Sequence, residues 1–170
     1  SLPPTSQEHL TKLRARTRRL QLLLADLLTY AQVGHPPEAG VRVDTTAVVR
    51  QQIEHLTLPP GFTIRVAEGL PIFIGERVPL ETVFRNLLGN SVKHHHQPET
   101  GEVQVMAQDL GSWIEFTVSD NGPGIDPADH IRIFEMFQTL KPRDEVEGSG
   151  LGLAFVKKAV EARGGTIQVE

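Results

Sequence analysis

The sequence contains no cysteine. Disulfide frameworks, thiolate zinc sites and cysteine nucleophiles are therefore excluded, and the composition fits a reducing compartment, with the cytoplasm as the expected location. No apolar run approaches the roughly 18 residues of a membrane span. No signal peptide opens the chain, so no direct membrane contact is expected. Basic residues do not dominate: 17 Lys and Arg stand against 21 Asp and Glu, a formal net charge of −4. That balance gives no footprint for nucleic acid. Internal repeats and low-complexity tracts are also absent. What is present is ordinary for a globular protein, 39% hydrophobic and 22% charged over 170 residues. This is enough for one sizeable domain with a real core, plus an appendage.

The first 34 residues differ in character from the rest. Leu10, Leu13, Thr17, Leu20, Leu24, Leu27 and Ala31 recur at spacings of three and four, a heptad seam. Leu22, Leu23 and Leu28 widen the apolar face, and Arg14, Arg16, Arg18 and Arg19 lie mostly off it. Gly34 can end the helix, and Pro36-Pro37 cannot continue it. Two readings fit: an amphipathic helix packed on its own domain, or one helix of a bundle whose partners lie elsewhere. The breadth of the stripe favours the bundle. Residues 35–40, "HPPEAG", read as a linker.

From Val41 the pattern is mixed. "VRV" is a short strand, and Asp44 or Thr45 can cap a helix to about Leu56. "FTIRVA" and "PIFIG" read as strands, and Pro79 suits the first turn of a helix to about His95. "EVQVMAQ" and "WIEFTVS", joined by "DLGS", read as a hairpin. Asp126-Pro127 opens a short helix ending near Phe137, then a polar loop leads to the helix "GLGLAFVKKAVEARGG", and "TIQVE" starts another strand. The fold class is α/β, a two-layer sandwich whose hairpin excludes a purely parallel sheet.

Three groups of residues carry chemistry. On the helix "ETVFRNLLGNSVKHHH", Asn86, Asn90, Lys93 and His94 recur at i, i+4, i+7 and i+8 and share a face, while Val83, Leu87 and Leu88 can enter the core. An amide oxygen is a hard-cation ligand and Lys a point charge suited to phosphate. The plain alternative is a polar face bonded to nearby loops. In "EGSGLGLAFVKK", Gly148, Gly150 and Gly152 lead into a helix whose first N–H groups attract anions. The spacing is only loosely that of a dinucleotide fingerprint, and its place late in the domain excludes a Rossmann reading. Asp120 ends a strand above the glycine turn "DNGPG". Its carboxylate could accept a bond from an exocyclic amine such as that of adenine, or simply close an Asx-turn.

Together these stretches resemble the ATP-binding domain of sensor histidine kinases, in the superfamily shared with gyrase B, MutL and the ninety-kilodalton heat-shock chaperones. "NLLGNSVKH" resembles the asparagine box, "DNGPGI" the first glycine box, "IFEMF" the phenylalanine box and "GSGLGL" the second glycine box, in the family's order. The resemblance implies a Bergerat-type fold, a mixed sheet covered by helices on one face, over residues 41–170. It also implies that residues 1–34 are the second helix of a dimerisation domain. ATP and Mg²⁺ are the implied cofactors. Asn90 would bind Mg²⁺, Asn86 would sit beside it, Lys93 would meet the phosphates and His94 the ribose or adenine. Asn86 and Lys93 are the catalytic candidates. Asp120 would read the adenine amine, with Gly122, Gly124 and Ile125 lying along the purine. Gly148, Ser149, Gly150, Leu151, Gly152 and Leu153 would wrap the phosphates. Phe134 and Phe137 would anchor the near end of the intervening lid or fill core, and Lys141 or Arg143 would reach the γ-phosphate or remain solvated.

Two departures shape the functional expectation. The ATP-hydrolysing cousins carry a glutamate where this sequence has Asn86, and an amide cannot act as a general base. Glu81, five residues earlier, lies about 140° around the helix from that face and is a poor substitute. Transfer to an external acceptor is therefore expected, an imidazole on a dimerisation helix, with relay to a response-regulator aspartate and homodimerisation of the intact protein. No string like the family's acceptor motif occurs. His9 and His35 lack its context, so the acceptor is expected outside the sequence and the chain alone is not expected to autophosphorylate. A metal site in the run His94 to His96 is a minor alternative. The family's last strand is also missing after "GGTIQV". An anti-sigma-type serine kinase and a non-catalytic ATP-binding module of the same superfamily are the competing readings.

Overall fold

The computed structural model describes residues 3–33, 39–140 and 148–170. The chain divides into two compact units, one from Ser1–Gly34 with Ala128–Ile167, the other from His35–Pro127 with Gln168–Glu170.

The second unit carries the sheet. β1 (Val41–Asp44) pairs antiparallel with β3 (Ile72–Gly75), matching Val43 to Phe73. β4 (Glu102–Asp109) is the centre of a separate mixed ladder, parallel to β2 (Thr63–Val66) and antiparallel to β5 (Ile114–Asp120). The expected mixed sheet is thus present in two pieces. Strand alternation does what the sequence suggests. Val103 and Val105 are fully buried, while Gln104 and Met106, which alternate with them, face water. Two helices cover the core face. α2 (Thr45–Glu54) starts where Asp44 Oδ1 accepts the Ala47 N–H at 3.1 Å, and it buries Val48 and Val49. α3 (Arg77–Lys93) buries Phe84 and Leu88, one turn apart, with Phe84 set edge-on to Phe116 of β5. Leu80 and Val92 extend the same stripe against the core. Val83 and Leu87, expected in the core, are only half-buried. The core stripe runs through Phe84 instead.

The first unit is built from helices. α1 (Pro4–Gln32) is 29 residues long. Its leucine stripe is largely exposed, with Leu20 at 65% and Leu24 at 59%. At its end, Lys158 of α4 (Gly152–Glu161) donates to the Tyr30 carbonyl at 2.8 Å and lies 4.1 Å from the Tyr30 ring centroid. α4 buries Ala154, Phe155, Val156 and Ala159. The helix expected after Asp126 is instead two 3-10 turns, Pro127–Asp129 and Arg132–Phe134. Only Ile133 of the second turn is buried. One anchor gives no i, i+4 apolar pair to hold an α-helix in place. Thr166–Glu170, expected as a strand, has no ladder partner among the described residues and is irregular.

Candidate functional site

The sequence-selected residues fall into two groups. Asn86, Asn90, Lys93, His94, Asp120, Gly122, Gly124 and Ile125 belong to the sheet-bearing unit, and Phe134, Phe137 and Gly148 to Leu153 belong to the helical one. Lys141 and Arg143 lie outside the described residues.

α3 packs on β5, which ends at Asp120. Asn86 and Asn90 are half-buried and Lys93 is exposed, so the polar stripe lies beside the core stripe. The Asn86 amide nitrogen donates to the Thr82 carbonyl at 2.8 Å, one turn back. That bond fixes the amide and makes its oxygen the atom it can offer to a ligand. Glu81 is committed elsewhere: Arg77 Nε donates to its Oε1 at 2.5 Å, and Arg77 Nη2 donates to Gln51 at 2.7 Å. The nearest acid on the N-terminal side of Asn86 is therefore held by a guanidinium toward the start of the helix. His94 caps the C-terminus, its N–H bonded to the Asn90 carbonyl at 3.0 Å.

The turn after β5 is organised by Asp120 and Asn121. Asp120 is exposed, and its Oδ1 accepts the Gly122 N–H at 2.9 Å. The Asx-turn is therefore formed, and it orients the carboxylate rather than hiding it. A Cβ at Gly122 would lie 2.7 Å from that same oxygen, so this position is glycine because the carboxylate folds over it. Gly124 is glycine for a different reason: its φ is +71, in the left-handed region, with open space around it.

Asn121, which side-chain type and spacing alone do not single out, organises the turn. Its N–H donates to Glu102 O, its Oδ1 accepts the Glu102 N–H at 2.7 Å, and its amide donates to Thr100 O at 3.0 Å. It staples the end of β5 to the start of β4. His95 joins this staple. Its Nδ1 accepts the Gln97 N–H at 3.1 Å, so the proton of the neutral ring sits on Nε2, which donates to Asn121 Oδ1 at 2.8 Å. The ring stacks on His96 and meets Phe62 edge-on. Both ring nitrogens are thus engaged, and among the described residues no group of three His, Cys, Asp or Glu is gathered around a metal position. The metal alternative for the histidine run fails on that count. The signal that could have found His95 is the run itself, read for hydrogen bonding instead of coordination.

In the helical unit, the Phe137 N–H donates to the Gly150 carbonyl at 2.9 Å. This bond closes the neck of the loop between them. Phe137 has φ +63, the only positive value at a non-glycine among the described residues, and Gly150 has φ +73. A Cβ at Gly150 would lie 2.9 Å from the Phe137 backbone, so the glycine serves this close approach. Phe137 is 44% exposed and Phe134 half-buried, and it is Ile133 of that segment that enters the core. Ser149 Oγ accepts the Leu151 N–H at 3.2 Å, and the Leu151 side chain is buried. α4 then begins at Gly152 with no side-chain cap and no acidic residue in its first turn. Its leading N–H groups, around Gly152 and Leu153, suit an anion.

Comparison with known proteins adds to this geometry. Residues 75–170 match the family model "Histidine kinase-, DNA gyrase B-, and HSP90-like ATPase". The chain is 34% identical over 155 residues to the phytochrome-like protein Cph1 of Synechocystis sp., covering 89% of this chain and 20% of that protein. It is 32% identical over 155 residues to the methanogenesis regulatory histidine kinase FilI of Methanothrix harundinacea, covering 89% of this chain and 17% of that protein. The chain thus spans about a fifth of the length of the curated relatives it matches. Among solved structures, a mycobacterial sensor histidine kinase, MprB, is 31% identical with TM-score 0.61, covering 77% of this chain and 85% of that one. Full-length ShkA in complex with AMPPNP is 27% identical with TM-score 0.72, covering all of this chain and 38% of that one.

Proposed function

We propose a function from one premise: this chain belongs to the histidine kinase-, DNA gyrase B- and HSP90-like ATPase family, and its relatives are sensor histidine kinases. It carries their ATP-binding domain on a Bergerat-type fold. The proposal is that this domain transfers the γ-phosphoryl group of Mg-ATP to a histidine on a dimerisation helix outside the sequence. That phosphohistidine then serves a response-regulator aspartate, in a cytoplasmic part of a homodimeric protein.

The observation that carries the nucleotide half is the Asp120 turn. Oδ1 is held by the Gly122 N–H, so the carboxylate is aimed at the end of β5, where it can accept from the adenine amine. Gly122 and Gly124 keep side chains away from the purine, with Ile125 beside them. Asn86 and Asn90 offer neutral amide oxygens one turn apart, a donor set that fits Mg²⁺, which takes few protein ligands and prefers oxygen. Asn90 is assigned as the ligand, Asn86 as its support. When bound, the ion neutralises phosphate charge and orients the terminal phosphate. Lys93 adds a positive charge for the phosphates, and His94 at the helix end is assigned to the sugar or base. Gly148 to Leu153 supply backbone N–H groups for the phosphates, with Phe134 and Phe137 at the neck of the loop and Lys141 as a further phosphate contact.

Two observations favour transfer over hydrolysis. Asn86 cannot abstract a proton, and Glu81 is paired with Arg77. No general base is then built into α3 for water, whereas an imidazole acceptor brings its own nucleophile, and positioning does most of the work in phosphoryl transfer. The exposed leucines of α1 support its assignment to a dimerisation bundle, and so favour a histidine kinase over an anti-sigma-type serine kinase. Phosphorylation in trans of a supplied histidine-bearing dimerisation helix tests this reading. Acid-labile phosphate on that helix is the expected product. Steady ATP hydrolysis with none on the helix sinks the kinase assignment.

A further inference from the structure

We propose that His95 is a positioning residue for the nucleotide, holding the turn that aims the Asp120 carboxylate. The inference rests on the nucleotide reading of Asp120. His95 lies just beyond α3 and bonds the turn at Asn121, with its ring edge facing Gly122. Its Nε2–H donates to Asn121 Oδ1 at 2.8 Å, and its Cδ2 would lie 3.5 Å from a Cβ at Gly122. Asn121 and Gly122 are the two residues that follow Asp120, and Gly122 supplies the N–H that fixes Asp120 Oδ1. The imidazole is itself fixed, by the Gln97 N–H on Nδ1 and by Phe62 and His96 on its ring. This chemistry calls for histidine. One ring nitrogen must accept while the other donates, at opposite sides of a flat ring, and the neutral imidazole does both. Through His95 the loop at the end of α3, the helix of Asn86 and Asn90, is tied to the turn of Asp120. The two halves of the proposed adenine and metal contacts in this unit thus share one rigid connection.

His95→Phe keeps a flat ring against Phe62 and His96 and removes both hydrogen bonds. His95→Ala serves as the second variant, in case the larger ring disturbs the fold. ATP affinity is measured by calorimetry for the wild type, His95→Phe, Asp120→Asn and the double variant, and amide exchange is measured on the nucleotide-free proteins. Loss of one neutral hydrogen bond in a turn held by several leads to an affinity loss of about three- to tenfold. In the Asp120→Asn background the same change is expected to cost less than about twofold, because the group being positioned is gone. Without nucleotide, the Gly122 amide is expected to exchange at least about threefold faster, with Val105 and Val118 in the β4–β5 ladder unchanged. An unchanged affinity in His95→Phe, with Asp120→Asn impaired, overturns the inference alone. An equal loss in both backgrounds also overturns it, since the ring would then contact the nucleotide itself. Exchange that rises across the whole ladder assigns His95 to the scaffold, again against the inference. Full affinity in Asp120→Asn overturns the nucleotide reading and the inference together.

Discussion

Three glycines of the two glycine boxes are glycine for three separate physical reasons, and replacing each by alanine separates them. Gly124 has φ +71 and nothing near its absent Cβ. Alanine there meets only the left-handed backbone penalty, about 1 kcal/mol, or a fall in Tm of about 2–4 °C for a chain of this size. Gly150 has nearly the same φ, +73, but its Cβ would sit 2.9 Å from the Cα and carbonyl carbon of Phe137 and 3.1 Å from Gln138 N. These are backbone atoms and cannot rotate away. Gly150→Ala therefore adds the loss of the Phe137 to Gly150 hydrogen bond and a local backbone shift, for a total of about 3 kcal/mol or about 6–12 °C. Gly122 has no positive φ, and its clash is with a carboxylate oxygen that can swing aside. Gly122→Ala is expected to cost under about 1 kcal/mol of stability while moving Asp120 out of its turn, with at least a tenfold loss of ATP affinity. Calorimetric unfolding, amide exchange at Phe137 and ATP titration read the three effects. Equal destabilisation by Gly124→Ala and Gly150→Ala would refute the neck contact as the reason for glycine at 150.

The remaining expectations concern the core, the helix stripe and the chemistry. Phe84→Ala removes a fully buried ring and its edge contact with Phe116, and should cost about 3–5 kcal/mol by denaturant titration. Leu20→Ser with Leu24→Ser touches exposed positions, so stability of this chain should change by under about 1 kcal/mol. On the proposed assignment of α1 to a dimerisation bundle, the same pair is expected to abolish dimerisation of a protein that carries the whole bundle, read by sedimentation. Glu81→Gln should leave any residual ATP hydrolysis within about twofold, measured as phosphate release, because Arg77 already holds that carboxylate.

Much of the fold was legible because a few local signals are strong. Asp44 reads as a cap and is one, and the alternation in "EVQVMAQ" and "IEFTVS" puts Val103, Val105 and Val118 on the core side. What was not legible depends on partners distant in sequence. Thr166–Glu170 has the pattern of a strand, but pattern states a preference and a strand needs a neighbour. Pro127–Phe134 has apolar residues, yet only Ile133 is buried, and 3-10 turns result. On α3 the apolar residues wrap around the helix, so periodicity could not decide between Val83 with Leu87 and Phe84 with Leu88. At the site, side-chain types pointed to Asp120 and the glycines, because carboxylates and bare backbone have few other uses after a strand. The staple of Asn121 and His95 was invisible, because it joins residues 26 apart through hydrogen bonds that no spacing encodes.

The central claim is that this chain binds ATP through Asp120 with Mg²⁺ on the asparagine helix. Calorimetric titration of ATP with and without Mg²⁺, on the wild type, Asp120→Asn and Asn90→Ala, tests it most directly. The expected result is Mg²⁺-dependent binding by the wild type, at least a tenfold loss in Asp120→Asn with its unfolding curve unchanged, and binding by Asn90→Ala that no longer responds to Mg²⁺. A folded wild type that takes up no nucleotide, or an Asp120→Asn variant that binds as the wild type does, contradicts the claim.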